Sequence, residues 1–395
     1  MMSKSKIPHI RFKGFTGVWN ENEIGNLANI TTGGTPNTSN VSYWNPKQIP
    51  WMSSGEINKK RLFSTDNQIS ELGLNNSSAK WIKNNSVLIA LAGQGKTRGT
   101  VGINYIPLTT NQSIAAITSD DKLHYEFLYQ NLESRYEELR MESSGDGTRG
   151  GLNKQIISNI FIFYPEKNEQ IRIGNYFYQL DKLIEQKEKK YQKLKQFKKA
   201  MLDKMFPKNG ADTPEIRFKG FSGKWEEKSL GDISNITIGE FVIKTKQNPN
   251  SPYPVYNGGK SYTGFYDEFN NDGNKIIISA RGANAGYVNF ETRKYWAGNS
   301  CYSIDFLDKT LHYIEFFYHY IKKNENKFTD YQQAANIPSV SKTDAQKFIV
   351  HFPKIEEQIK IGSYFQKLDN QINLQQKELE KLKNIKKASL SKMFV

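Results

Sequence analysis

Two glycine-rich segments have spacings associated with nucleotide chemistry. Residues 90–97 fit a relaxed P-loop pattern in which Ala90 replaces the first glycine, and residues 145–150 formally match G-x-G-x-x-G. A P-loop leads into a helix, whereas residues 98–106 are rich in glycine and β-branched residues and predict a strand. The residues before 145 are charged and helical in character, where the dinucleotide pattern requires a buried strand. Both segments therefore lack the context that nucleotide binding requires.

No other set of residues in the sequence has a spacing that predicts bond chemistry. No serine, histidine and aspartate form a set that suggests an activated nucleophile. No pair of carboxylates lies near a lysine at a spacing typical of nucleases. The histidines also lack the cysteine or acidic neighbours that a zinc site requires. They are His9, His124, His312, His319 and His351. We therefore predict no catalytic residue and no metal site in this chain.

The composition favours a polyanionic partner. Lysine and arginine number 55 against 40 acidic residues in a chain of 395, giving a formal net charge of +15. Such an excess attracts nucleic acid or an anionic membrane surface, although a lysine-rich surface encoded by an A+T-rich genome gives the same balance. The sequence has no secretory signal and no run of about 20 apolar residues, and its single cysteine, Cys301, fits a reducing compartment. We therefore predict a cytoplasmic protein that does not bind membranes.

The parts of the chain that must position any functional residue are duplicated. Residues 8–19 return as residues 214–225, and we call these the repeated segments. A longer stretch, residues 164–206, recurs without a gap as residues 352–394. This duplication predicts a pseudo-twofold internal repeat.

The two stretches between the duplicated parts, which we call the inserts, do not resemble each other in sequence. They run from about residue 20 to 163 and from about 226 to 351. Both contain short apolar runs of buried-strand type, at residues 86–91 and 275–280, and helical patches follow each run. A common frame that holds unlike inserts indicates the recognition of two different targets.

The longer duplicated stretches predict two long helices. Their apolar residues recur at alternating steps of three and four, and glycine and proline are absent from 175–206 and 363–395. The predicted seam comprises Phe177, Leu180, Ile184, Tyr191 and Leu194 in the first helix and Phe365, Leu368, Ile372, Leu379 and Leu382 in the second. Polar residues, including Lys198 and Lys386, interrupt it. We expect the helices to pair with each other, the alternative being that each pairs with a different protein.

The predicted fold is α+β. Two mixed β-rich domains are separated by two long helices that form an antiparallel coiled coil, with a pseudo-twofold internal repeat. The predicted boundaries are 1–164 for the first domain, 165–206 for the first helical spacer, 207–352 for the second domain and 353–395 for the second spacer.

The order of these parts resembles the specificity subunit of type I restriction–modification systems over essentially the entire chain. The residues that carry the resemblance are Gly33-Gly34-Thr35-Pro36, Tyr43-Trp44, Ile49-Pro50-Trp51, the glycine turn 93–102, residues 110–117, 281–286 and 297–300, and the exits 152–165 and 337–353. The second insert departs from the pattern, because Ile238-Gly239-Glu240-Phe241 stands where the first has its Gly-Gly-Thr-Pro opening.

The resemblance implies a non-catalytic subunit whose two target-recognition domains read a bipartite, asymmetric site in double-stranded DNA. It also implies two modification subunits, which carry S-adenosylmethionine and methylate adenine, and two restriction subunits, which use ATP and Mg. No cofactor is expected in this chain. One alternative is a standalone architectural or regulatory DNA-binding protein, and another is an enzyme that uses the loop 93–97.

Candidate DNA contacts are polar and basic residues on glycine-containing loops, because such side chains reach phosphates and base edges. They are Gln94, Lys96, Thr97, Arg98, Arg149 and Lys154 in the first domain and Lys260, Arg281, Asn284, Tyr331, Gln332 and Gln333 in the second. Each has the alternative of being an exposed loop side chain without a ligand. We expect Asn111, Gln112 and Asn299 to cap turns instead.

Overall fold

The computed structural model describes residues 7–93, 97–119, 121–142, 151–208, 210–328 and 338–395. The chain divides into two compact units. Unit 1 consists of Met1–Glu188 and Glu378–Val395, and unit 2 consists of Lys189–Lys377. Each unit therefore contains one insert, one repeated segment and a portion of both long helices.

Unit 1 contains both strands and helices. Its strands are β1 (Asn20–Glu23), β2 (Asn29–Thr32), β3 (Ile49–Met52), β4 (Arg61–Leu62), β5 (Asn67–Ile69), β6 (Ser86–Ala90), β7 (Val101–Asn104), β8 (Thr109–Thr110), β9 (Ile114–Thr118) and β10 (Phe161–Tyr164). Its helices are α1 (Ile24–Leu27), α2 (Glu71–Asn75), α3 (Tyr125–Ser134), α4 (Tyr136–Met141), α5 (Lys154–Ser158) and the first half of α6 (Lys167–Met205), with 3-10 turns at Val41–Tyr43 and Ser54–Lys59.

Unit 2 is built from the same kinds of element. Its strands are β11 (Glu226–Ser229), β12 (Ser234–Ile238), β13 (Tyr253–Tyr256), β14 (Gly264–Tyr266), β15 (Lys275–Ser279), β16 (Val288–Glu291), β17 (Trp296–Ala297), β18 (Cys301–Phe306) and β19 (Ile349–Phe352). Its helices are α7 (Leu230–Ile233), α8 (Ile314–Lys323), α9 (Lys342–Lys347), the second half of α6 and the first half of α10 (Ile355–Met393), with 3-10 turns at Lys244–Lys246 and Glu325–Phe328. The second half of α10 belongs to unit 1.

The two inserts share one sheet topology although their sequences are unlike. Unit 1 has a five-stranded sheet in the order β2-β9-β6-β7-β4, and unit 2 has a four-stranded sheet in the matching order β12-β18-β15-β16. A three-stranded sheet accompanies each, β5-β3-β8 in unit 1 and β14-β13-β17 in unit 2. In both small sheets the second pairing, β3 with β8 or β13 with β17, is parallel. The inserts are therefore two versions of one scaffold.

The central strands contain a continuous apolar run, residues 87–90 in β6 and 276–278 in β15, because both of their faces are covered. In β6, Val87 and Ile89 pack in one buried cluster of unit 1, while Leu88 and Ala90 pack in another. Since side chains alternate between the faces of a strand, a sheet buried on both sides requires such a continuous run. The strand β15 follows the same rule in unit 2, with Ile276 and Ile278 on one face.

The long helices pair antiparallel within unit 1. Near the start of α6, the ring of Phe177 stacks on Phe394, with centroids 5.8 Å apart. Further along, Lys187 Nζ donates to Glu378 Oε2 at 2.5 Å. The residue number rises along α6 while it falls along α10, which confirms the predicted antiparallel pairing.

Unit 2 repeats this arrangement with the roles of the helices exchanged. Phe206, near the end of α6, stacks on Phe365 near the start of α10 at 5.6 Å. Tyr191 Oη donates to Gln376 Oε1 at 3.4 Å. In the repeat, Phe206 corresponds to Phe394 and Phe365 corresponds to Phe177. The two helices therefore do meet, and the alternative of separate protein partners for each is not needed to cover the seam.

The residues of the predicted seam pack against the other helix and against the insert of the same unit. Phe177, Leu180, Phe365, Leu368 and Leu379 are buried, and Ile184, Tyr191, Leu194, Ile372 and Leu382 are partly buried. The polar interruptions of the seam make cross-helix ion pairs. Lys386 pairs with Asp181 at 2.6 Å and with Glu133 at 2.8 Å, and the equivalent Lys198 pairs with Asp369 in unit 2. Burial would raise the pKa of Glu133, but Lys386 and Lys60 lower it to about 2.

The repeated segments fasten the helix ends. In unit 1, Arg11 makes a two-pronged ion pair with Glu169 of α6, at 2.7 and 2.6 Å, and Ile10 N donates to Lys392 O of α10. The glutamate side chain is fully buried and the arginine is 15% exposed. In unit 2, Arg217 pairs with Glu357 in the same way, at 2.9 and 2.6 Å. Each repeated segment thus ties the start of one long helix to the end of the other.

These elements and contacts confirm the predicted fold class. The boundaries 1–164, 165–206, 207–352 and 353–395 stay a prediction, because the compact units divide both long helices instead of separating them from the domains.

Replacement of Arg11 by methionine is expected to destabilise unit 1 by about 2–3 kcal/mol, because the buried carboxylate of Glu169 loses its partner. The cost falls below that of a fully enclosed pair because water reaches the arginine. Urea unfolding, monitored through the hydrogen exchange of unit 1, measures the loss of stability.

The control is Lys224→Met in unit 2, which breaks an ion pair with Asp212 whose lysine is 83% exposed, and its effect is measured through the hydrogen exchange of unit 2. This change should leave the unfolding curve nearly unaltered. Equal effects of the two substitutions would contradict the fastening role of Arg11.

Candidate nucleic-acid interface

The candidate loops of unit 1 leave the same end of its five-stranded sheet. Strand β2 ends at Thr32, opposite Ala115 of β9, and β6 ends at Ala90, opposite Ile114. Leu152 N donates to the carbonyl of Leu91 at 2.9 Å, which brings residues 151–154 to the same end. We call residues 33–40, 91–100, 110–113 and 151–154 the first loop cluster, of which 94–96 lie outside the described residues.

Three of the predicted contact residues of unit 1 can be placed in this cluster. Thr97 and Arg98 are partly buried at the turn between β6 and β7, and Lys154 is exposed as the first residue of α5. Gln94, Lys96 and Arg149 lie outside the described residues. The residues after the turn form β7, as the sequence predicted, so the relaxed P-loop pattern has no helix after it.

A close backbone approach holds the first loop cluster together. A Cβ on Gly33 would lie 2.1 Å from the carbonyl oxygen of Thr110, so only glycine fits there. The neighbouring Gly34 N donates to the same carbonyl at 2.8 Å. The first glycine of the Gly-Gly-Thr-Pro opening is therefore required by the close contact between the segment after β2 and strand β8.

Two polar residues of the cluster are used internally. Asn111 Oδ1 accepts from Ser113 N at 3.2 Å, which is the turn capping that the sequence predicted. Thr35 Oγ1 donates to Gln112 Oε1 at 2.6 Å. The expectation for Asn299 in unit 2 stays a prediction.

A second loop cluster leaves the equivalent end of the sheet in unit 2. Strand β12 ends at Ile238, opposite Tyr302 of β18, and β15 ends at Ser279, opposite Cys301. Residues 239–247, 257–263, 280–287, 298–300 and 338–340 meet there. We call this set the second loop cluster. Its members are joined by backbone bonds from Ala280 N to Ser300 O at 2.8 Å and from Gly282 N to Pro338 O at 3.1 Å.

The second loop cluster contains three predicted contact residues. Lys260 is exposed, with Nζ 5.9 Å from the centre of the Tyr287 ring, and Arg281 is exposed beside Ser339. Asn284 is partly buried, and its carbonyl accepts from Tyr287 N at 3.0 Å. Tyr331, Gln332 and Gln333 lie outside the described residues.

The different opening of the second insert keeps the glycine that the scaffold needs. A Cβ on Gly239 would lie 2.1 Å from the carbonyl oxygen of Ala297, as Gly33 does relative to Thr110. Glu240 N donates to that carbonyl at 2.9 Å, as Gly34 does in unit 1. Gly239 therefore corresponds to Gly33, and Phe241, two residues later, corresponds to Thr35.

Not every basic residue of the inserts is available for DNA. Arg61 is largely buried and pairs with Glu126 and, at 3.0 Å, with Asp181 of α6. Burial opposes its charge, but the hydrogen bond and charge of Glu126 outweigh that effect and raise the pKa of Arg61. This arginine fastens the insert to the helix. Lys154, Lys260 and Arg281 instead present exposed side chains.

The described residues show neither a metal centre nor a membrane-spanning helix. They contain no group of three or more histidine, cysteine, aspartate or glutamate residues that could hold a metal ion. None of the helices in the described ranges is long and apolar enough to cross a membrane.

Comparison with known proteins identifies the family. The model of the family described as type I restriction modification DNA specificity domain matches residues 17–196 and 222–384, which is most of the chain. The chain therefore belongs to this family, and the resemblance seen in the sequence is confirmed. Recognition of DNA sequence is the role that the family description names.

Individual relatives agree with this assignment. A putative type I specificity subunit of Mycoplasma genitalium is 24% identical over 283 residues, covering 69% of this chain and 71% of that protein. The type I restriction enzyme MjaIX specificity subunit of Methanocaldococcus jannaschii is 28% identical over 236 residues, covering 56% and 52%. The crystal structure of a type I system S subunit from M. genitalium superposes with a TM-score of 0.76 at 19% identity, covering 98% of this chain and 99% of that one. This last similarity shows a shared fold.

Substitution of Gly33 or Gly239 by alanine is expected to destabilise the corresponding unit by about 1–3 kcal/mol, because the new methyl group collides with a backbone carbonyl that cannot rotate away. Urea unfolding of each variant measures the effect.

Gly55→Ala serves as the control, since a Cβ there would meet nothing closer than Ser53 Oγ at 3.9 Å. Its stability should stay within about 0.5 kcal/mol of the parent protein. If Gly33→Ala were as harmless as Gly55→Ala, the close approach would not hold the first loop cluster.

Proposed function

We propose that the first and second loop clusters each read one half of a bipartite, asymmetric DNA site. The observation that carries this proposal is that one sheet topology presents a loop cluster twice, with different side chains each time. The same scaffold suits the same class of ligand, and different side chains suit different sequences. Identical clusters would instead favour a palindromic target.

The chemistry of the polar and basic residues in the loop clusters supports DNA as the ligand. Lys154, Lys260 and Arg281 would contact phosphates, and Thr97, Arg98 and Asn284 would supply the hydrogen bonds that read base edges. The formal net charge of +15 attracts a polyanion, and affinity should fall steeply as salt rises.

The duplicated frame supports two copies of one protein partner. The repeated segments and the long helices have the same arrangement in each unit, so a subunit that fits this arrangement in one unit would fit it in the other. We take these partners to be two modification subunits, with two restriction subunits joining them in the cytoplasm. S-adenosylmethionine, ATP and Mg would bind in those partners, and this chain would have no catalytic activity of its own.

Exchange of residues 20–163 for the corresponding insert of another specificity subunit should change one half of the recognised site and leave the other half unaltered. The reason is that the second loop cluster lies wholly on residues of unit 2. Methylation mapping across the genome of a strain that carries the hybrid gene measures both halves.

The reciprocal exchange of residues 226–351 is the matched control and should alter only the other half. A change of both halves by either exchange would refute the modular assignment. Purification of the chain without any methyltransferase partner, despite tight DNA binding, would favour the standalone DNA-binding protein.

A further inference from the structure

Phe241 is an aromatic residue held out into solvent by a fixed backbone. It is 72% exposed, whereas its neighbour Val242 is buried in a cluster with Val255 and Tyr266. An exposed phenyl ring on a mobile tail would need no explanation, because single exposed apolar residues are common. This ring is different, because the chain is anchored on both sides of it.

The anchoring bonds lie one residue before and two residues after Phe241. Glu240 N donates to Ala297 O at 2.9 Å on one side. On the other side, Ile243 N donates to Tyr266 Oη at 2.6 Å, and that hydroxyl donates to Ile243 O at 2.7 Å. The backbone therefore needs little further ordering when the ring meets a partner, and less entropy is lost on binding.

The ring belongs to the second loop cluster. It lies in the segment that follows β12, at the sheet end from which the loops of Lys260 and Arg281 also leave. Its counterpart in the first loop cluster is Thr35, whose hydroxyl bonds Gln112 within the protein. The same scaffold position therefore presents a phenyl ring in one unit and an internally bonded threonine in the other, which suits a position that distinguishes two half-sites.

We infer that Phe241 makes an apolar contact with the 5-methyl group of a thymine in the half-site read by unit 2. This inference rests on the proposed function. Among the groups that bases display in the major groove, the thymine methyl is the apolar one, and phenylalanine is among the side chains that contact it. The exposed cations on the same cluster favour DNA over an apolar protein surface as the occupant.

The test compares duplexes that differ by single methyl groups. The chain is assembled with its modification subunits, and the dissociation constant is measured on a duplex carrying the mapped site. Each thymine of the second half-site is then replaced in turn by deoxyuridine. The parent complex should bind about 3–5-fold more weakly at one of these replacements, as the loss of one buried methyl group predicts. Phe241→Ala should bind the thymine duplex more weakly and show no further loss at that replacement.

Two controls separate this contact from general damage. Leu307→Ala removes another exposed apolar side chain, 69% exposed, at the opposite end of the same sheet, and should leave binding and uracil sensitivity unchanged. Uracil replacements in the first half-site should affect the parent and Phe241→Ala complexes equally.

The inference would be overturned if the parent and Phe241→Ala complexes were equally sensitive to uracil throughout the second half-site. It would also be overturned if the parent complex were insensitive to every replacement. A second half-site without thymine on either strand would overturn it too. Those results leave the proposed function standing. A parent complex with no preference for the mapped site would overturn the proposed function as well.

Discussion

The structure depends on the pairing of two amphipathic helices, neither of which can cover its own apolar seam. Phe177 of unit 1 stacks on Phe394, and Phe365 of unit 2 stacks on Phe206, so each unit is completed by a helix end from the other half of the chain. Lys386 and its equivalent Lys198 add an ion pair to an aspartate of the partner helix in each case. The repeated segments then secure the starts of the two long helices through Arg11 and Arg217.

One scaffold supports two different loop clusters because its steric demands fall on only some of its residues. The sheets, the helices and the glycines at 33 and 239 meet steric demands that are the same in both units. Side chains on the loop clusters meet no such demand, so Thr35 and Phe241 differ at corresponding positions without altering the fold. The side chains of the loop clusters can therefore change while the frame stays constant.

The sequence predicted the long helices and their pairing because a seam without glycine or proline is a local pattern. It did not predict that the inserts share a topology, since strand order is set by contacts between residues far apart in the chain. Gly239 was missed as the equivalent of Gly33 because its role depends on the distant carbonyl of Ala297. The exposure of Phe241 was not predicted, because an exposed phenylalanine and a core phenylalanine look alike in a sequence. The deep burial of Arg61 likewise depends on tertiary packing.

The most direct test is the mass in solution of the fragment comprising residues 1–206, measured by light scattering after gel filtration. That fragment lacks Glu378–Val395, which completes unit 1, but it contains Lys198 and Phe206, the equivalents of Lys386 and Phe394. The account predicts a folded dimer in which each copy supplies these residues to the other. A folded, stable monomer would contradict it, because unit 1 would then need no second helix.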